Sequence, residues 1–257
     1  MTRFILAAIL AVVPLAAQAQ TQQQALVDRA TLTVQEMMGV PDPTERLAVL
    51  RRARAVMICP RVFHAGFVLG GSGGTCVLVA RDGGGSWSSP AFYGLGGGSV
   101  GLQIGVQDSE LIMMILTDRG LSAVMDTQFT FGGDASVAFA AMGSGVGSES
   151  SGALADIQLY SQTRGLFAGV QLGGAVMTTD TASNRAYYGR ELAARQIVIQ
   201  MDANNQGANP LRSILTRLGA PLEALTPRQV AATPSQSSLV PVQRDSVQRE
   251  TLAPPPR

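Results

Sequence analysis

Apolar and polar positions change period along the chain. Gln20 to Cys59 reads as helical: Leu26, Ala30, Val34 and Met37 recur at three- and four-residue steps, the spacing of one helix face. Pro41-Asp42-Pro43 interrupts the pattern and Thr44 offers a cap for a second helix. On that helix Leu47, Leu50, Ala53 and Met57 share one face, while Arg46, Arg51, Arg52 and Arg54 crowd the rest; Pro60 marks its end. From Val62 the period falls to two, which predicts strands over Phe63–Leu69, Thr75–Arg81, Ala91–Tyr93, Val100–Gln107 and Glu110–Leu116, with a turn at Gly70–Gly74. Thr117-Asp118 opens a short helix carrying Leu121, Val124 and Met125 on one face. Strands resume at Ala135–Ala141, Ala155–Ser161 and Leu166–Met177, and Gln196–Met201 reads as another. Asn209-Pro210 starts a last helix, Leu211–Leu218, stopped by Gly219.

Helices followed by many strands indicate an α+β fold: a twisted, mostly antiparallel, glycine-rich sheet or partial barrel with the N-terminal helices packed on it. All of the 29 glycines except Gly39, Gly189, Gly207 and Gly219 lie between Gly66 and Gly174. Glycine weakens a strand, so its density there marks tight bends or places where a backbone or ligand comes close. The domain is expected over residues 24–218. Residues 227–257, rich in Pro, Gln, Ser and Thr, are expected to be disordered.

The first residues add a compartment. Met1-Thr2-Arg3, the apolar run Phe4–Ala17 interrupted by Pro14, and Ala17-Gln18-Ala19 have the form of a signal peptide over residues 1–19, with the mature chain starting at Gln20. The run is shorter than the roughly 20 residues of a spanning helix, and no nearby cysteine offers a lipoprotein anchor. An exported protein is expected, periplasmic or peripherally associated with an envelope membrane.

Charge and candidate chemistry narrow the function. A formal net charge of +1 lacks the basic excess of a nucleic-acid binder. In an exported chain Cys59 and Cys76 read as a disulfide, with buried free thiols as the alternative; predicted strands running out and back leave the pairing open. His64 is the only histidine, so a Cys/His zinc site is short of ligands and no metal is expected. Gly70-Gly71-Ser72-Gly73-Gly74 matches G-x-S-x-G, but a strand follows and no His comes later. Gly96–Gly101 matches G-x-G-x-x-G with a strand where a dinucleotide fold needs a helix. Asp108, Glu110, Asp118, Asp126, Asp134 and Asp156 have no motif spacing and read as turn caps. Neither a catalytic set nor a cofactor is expected.

Longer strings carry a resemblance. Pro60-Arg61-Val62-Phe63-His64-Ala65-Gly66-Phe67 is followed by Ser86-Trp87-Ser88-Ser89-Pro90-Ala91-Phe92-Tyr93 and by Gly98–Gly105. Gly133–Ala138, Tyr160-Ser161, Gly165-Leu166-Phe167-Ala168-Gly169 and Tyr187-Tyr188-Gly189 come later in the same order. Over Leu26 to Met201 the chain resembles the SYLF domain family of lipid-binding proteins. The resemblance implies non-catalytic binding of membrane lipid, in part through an amphipathic N-terminal helix. For an exported, bacterial-looking chain the lipid is an anionic phospholipid rather than a phosphoinositide, and actin, a partner of yeast members, is not expected.

Arg46, Arg51, Arg52, Arg54 and Arg61 are the lipid-binding candidates, clustered around one amphipathic helix in a pattern that can lie on an anionic surface. The competing reading is a solvated helix face. Trp87, the single tryptophan, fits an interfacial anchor or a core aromatic. The alternative function is a structural envelope protein whose sheet binds another envelope protein or its own copy.

Overall fold

The switch from helix to strand comes earlier than the periodicity suggests. The computed structural model describes residues 2–41, 43–66, 69–100, 105–126, 128–131, 137–142, 155–165 and 174–220, with side chains of the first helix described from Gln20 onward. In it α1 (Thr2–Met38) is followed by α2 (Thr44–Arg52), and β1 (Ala55–Gly66) starts almost at once. Ala53 is therefore the residue that ends α2, and Met57 lies in a strand. Ala55 to Ile58 are apolar without a break because β1 is a central strand covered on both faces, and such a run carries no period that separates it from a buried helix. Thr44 is the first helical residue; Pro43 occupies the cap position and makes no side-chain cap bond.

The remaining strands are β2 (Leu69–Ala80), β3 (Ala91–Val100), β4 (Gly105–Ile115), β5 (Gln128–Thr130), β6 (Phe139–Met142), β7 (Ile157–Gly165) and β8 (Val176–Thr179). They form one sheet in the order β5-β8-β3-β2-β1-β4-β7-β6, antiparallel except for the β6–β7 pair. Gly70–Gly74 is not a turn. It lies inside β2, with Gly71 opposite Ala65 on one side and Gly98 on the other. Residues 101–104, 135–136 and 166–173, parts of predicted strands, lie outside the described residues, as does the expected tail.

The period-two alternation divides the strand side chains between two cores. Val56, Ile58, Val77, Val79, Phe92 and Ile112 face α1, α2 and the later helices. Met57, Leu78, Tyr93, Leu111, Met113 and Leu159 face the opposite way. Phe129 and Met177 from one end of the strand order join that second cluster with Leu159 from near the other end, so the sheet curls around it as a partial barrel. α3 (Asp118–Met125) closes this side with Leu121 and Val124; Thr117 caps it by accepting from the Gly120 N–H.

Two helices near the C-terminal end complete the packing. α4 (Thr181–Tyr188) follows β8, and its fully buried Asn184 accepts from the Phe92 N–H where the β3–β8 ladder stops. The Gln196–Met201 segment, read as a strand, is instead α5 (Ala194–Val198), whose adjacent Ile197 and Val198 are both buried. Alternation in a short Gln-Ile-Val-Ile-Gln string yields here to tertiary burial. After a 3-10 turn over Gln206–Ala208, α6 (Asn209–Gly219) has the predicted bounds to within two residues and packs on α1 and α2.

Cys59 and Cys76 are bridged, with Cα atoms 4.1 Å apart. The register between β1 and β2 slips between Ile58 and Arg61, so the strand bulges around Cys59-Pro60. A bulge is where a strand interior tolerates proline. The bond therefore joins neighbouring strands.

Candidate functional site

Most of the sequence-predicted arginines are held by the fold. Arg46 Nη1 donates to the Met37 carbonyl at 2.7 Å, and its guanidinium lies 5.5 Å from the Tyr160 ring centre, which ties α2 to the end of α1. Arg51 Nε donates to the Ala220 carbonyl at 3.0 Å. Arg54, beyond α2, pairs with Asp118 at the start of α3 at 3.3 Å. Arg61 stands in β1 and makes a two-pronged pair with Asp108 of β4, at 2.9 and 3.0 Å. That hydrogen bond raises the Arg61 guanidinium and holds the Asp108 carboxyl below the usual carboxylate range. Arg52 is exposed and makes no hydrogen bond among the described residues.

α6 brings in charge that the sequence reading did not single out. Leu211, Ile214 and Leu215 are buried, which leaves Asn209, Ser213 and Arg217 on one outer row and Arg212 and Thr216 on the next. Arg212 Nε donates to the Trp87 carbonyl at 2.7 Å. Trp87 is only 1% exposed, with the Arg81 guanidinium 4.5 Å from its ring centre, so it is a core aromatic and not an interfacial anchor. Arg81 Nη1 in turn donates to the Arg51 carbonyl at 2.9 Å, and burial lowers its proton affinity. These contacts make a continuous link from the end of α2 through Arg81 and Trp87 to α6. Beside it, Gly84–Ser86 of the following loop and α6 border an open concavity of ≈ 670 Å³.

Two other surfaces stand out. A cleft of ≈ 440 Å³ between α1 and strands β1, β4 and β7 is lined by Arg29, Leu32, Glu36, Arg61, Asp108 and Glu110, charges of both signs. Beyond the reach of α1, the glycine-rich half of the sheet leaves Phe63 and Val106 41% and 59% exposed. At the G-x-S-x-G match, Ser72 stands opposite His64 in the β1–β2 register, yet its hydroxyl contact is the Gly97 carbonyl at 3.5 Å. That contact does not make the nucleophile–base pair a hydrolase needs.

Comparison with known proteins supplies the relationship. The family model Ysc84, described as "Las17-binding protein actin regulator", matches residues 96–218. Protein YSC84 of Saccharomyces cerevisiae is 28% identical over 79% of this chain and 44% of its own length. An SH3 domain-containing protein of Schizosaccharomyces pombe is 32% identical over 73% of this chain and 43% of its own. The human SH3 domain-containing YSC84-like protein 1 is 31% identical over 68% of this chain and 52% of its own. The chain belongs to the SYLF domain family. It spans about half the length, or less, of these relatives. No solved structure matches it.

Within this SYLF domain the matched region runs from the middle of β3 to the end of α6, and so includes the α6 arginines and omits α1 and α2. Arg212 and Arg217 were legible only as the polar complement of the α6 apolar face. Asp156 was misread as a turn cap. Its side chain is 2% exposed and accepts from Thr117 Oγ1 at 2.6 Å, Arg119 Nη2 at 2.6 Å and the Ala138 N–H at 3.0 Å. Burial pushes its carboxyl up, and those donors outweigh burial and hold it below the usual range.

Proposed function

We propose that the chain is a non-catalytic lipid-binding module that associates with anionic phospholipid in a bacterial envelope. The observation that supports it best is exposed basic charge on two helices: Arg52 at the end of α2, and Arg212 and Arg217 on α6 beside the Arg51–Arg81–Trp87 link. A basic side chain near an anionic leaflet contributes about 1 kcal/mol. Three of them hold a protein reversibly, which suits peripheral association; no helix among the described residues is long and apolar enough to cross a membrane. In this reading residues 1–19 are the export leader, and the partner surface is a leaflet facing the periplasm.

The arginines assigned to lipid from the sequence divide accordingly. Arg52 is exposed at the end of α2. Arg46 and Arg51 are held by backbone carbonyls, and Arg54 and Arg61 are engaged by Asp118 and Asp108. Flotation with phosphatidylglycerol-containing vesicles tests the reading. Wild type is expected to float with them and to stay behind with neutral phosphatidylcholine vesicles, and R52Q/R217Q is expected to lose most of the binding. Equal flotation on both vesicle types would refute the reading.

A second reading is favoured by the exposed Phe63 and Val106 on the glycine-rich half-sheet and by the description of the matching family as Las17-binding. It makes the domain a protein-interaction or self-association module. Light scattering that shows a stable dimer dispersed by F63S would support this alternative.

A further inference from the structure

We propose that the concavity between the Gly83–Ser86 loop and α6 is a binding site for a phosphate-class oxyanion, the headgroup phosphate of an anionic lipid in the first instance. The proposal deepens the lipid reading and rests on it for the source of the phosphate, though not for the chemistry of the site.

The lining combines the guanidinium groups of Arg212 and Arg217 with the hydroxyls of Ser86 and Ser213 and the amide of Asn209, while the Thr216 hydroxyl donates to the Arg212 carbonyl. Among the described residues no carboxylate lines it, whereas the cleft beside α1 carries Glu36, Asp108 and Glu110. A concave surface lined by one sign of charge concentrates the opposite ion. Guanidinium groups suit phosphate because their fixed fork can give two parallel hydrogen bonds to its oxygens, and hydroxyl donors complete the coordination.

The site is also preorganised. Arg212 is already oriented by the bond from its Nε to the Trp87 carbonyl, which leaves its terminal nitrogens toward the concavity with one long contact of 3.5 Å to Asn209 Oδ1. Opposite, the loop is fixed by Gly85 N–H to Asp82 O at 3.1 Å and Asp82 N–H to Ser86 O at 2.9 Å. Gly85 has φ +89°, which glycine adopts without strain. Asp82, the carboxylate nearest in sequence, is occupied within its own loop, where Oδ1 accepts from the Ser86 N–H at 2.7 Å. Behind the site, Arg81 and Arg51 add positive charge on the far side of Trp87. A ligand oxyanion therefore meets in Arg212 a donor whose ordering cost was met on folding.

The test follows backbone amide resonances of the mature chain during titration with inorganic phosphate, alongside flotation on phosphatidylglycerol and phosphatidylcholine vesicles. Three proteins are compared: wild type, S213A/R217Q, and R29Q, which removes an exposed arginine on α1 away from the concavity. Saturable shifts at Gly84, Gly85 and Ser213 are expected, and S213A/R217Q should bind phosphate about tenfold more weakly, the loss of one charge-assisted hydrogen bond. Its flotation on anionic vesicles should fall in parallel while R29Q behaves as wild type and all three melt alike. A fourth protein, R212K, which keeps the charge and loses the fork, should also bind phosphate more weakly, and wild-type binding by R212K would overturn recognition by the fork. Wild-type flotation retained in S213A/R217Q would overturn the site and leave the lipid reading standing. Phosphate binding at these amides without flotation would support the site and overturn the lipid source. An equal loss in R29Q would overturn the site in favour of diffuse charge, and no shift at the loop amides would overturn it outright.

Discussion

Gly74 and Gly96 occupy neighbouring strands and have opposite reasons for being glycine. A Cβ on Gly74 would lie 2.6 Å from the Arg61 carbonyl oxygen and 3.2 Å from the Val62 Cα, where the Cys59-Pro60 bulge brings β1 close. A Cβ on Gly96 would meet nothing within 4 Å. G74A is therefore expected to cost about 1–3 kcal/mol, since backbone must move to admit the methyl. G96A should be neutral or stabilising by up to about 1 kcal/mol, because alanine loses less entropy in a strand. Denaturant midpoints of the two variants check the contrast; equal effects would contradict it. Asp156 supplies a second test. Its folded carboxyl is held below the unfolded value of about 3.9, so it adds stability above that pH that is lost as pH falls through the folded value. D156N, which offers one acceptor oxygen to three donors, should lose about 1–3 kcal/mol near neutral pH. The loss should shrink on acidification; a pH-independent difference would show that the charge is not what matters.

At the scale of elements, the cross-strand disulfide is the main staple of the β1–β2 pair. Joining residues 17 apart should stabilise the fold by about 3 kcal/mol in the chain-entropy model. Thiol labelling of unfolded, unreduced protein should find no free cysteine, and reduction should lower the unfolding midpoint. Two labelled thiols per chain would contradict the bridge. Elements with their own punctuation were legible in the sequence: α3 behind its Thr117 cap, and α6 between Pro210 and Gly219. Those whose state depends on neighbours were not. Ala55–Ile58 is a strand because β2 and β4 flank it, and Gly70–Gly74 is a strand because β1 and β3 do; neither string carries that information locally. The arginine cluster is divided among elements for a related reason. Sequence spacing put Arg54 and Arg61 beside α2, while the fold turns them toward Asp118 and Asp108 on other elements.

For the whole molecule, the sheet is covered on both faces at one end and leaves Phe63 and Val106 exposed at the other, and Arg52 on α2 and Arg217 on α6 present exposed positive charge. Binding through these arginines is electrostatic and should weaken as salt shortens the screening length to about 8 Å at physiological ionic strength. The most direct test is flotation of residues 20–257 on phosphatidylcholine vesicles containing increasing fractions of phosphatidylglycerol, at low and at physiological salt. The account predicts binding that rises with the anionic fraction, falls with salt and is largely lost in R52Q/R217Q. Binding that ignores the anionic fraction, or no binding at low salt on the most anionic vesicles, would contradict it.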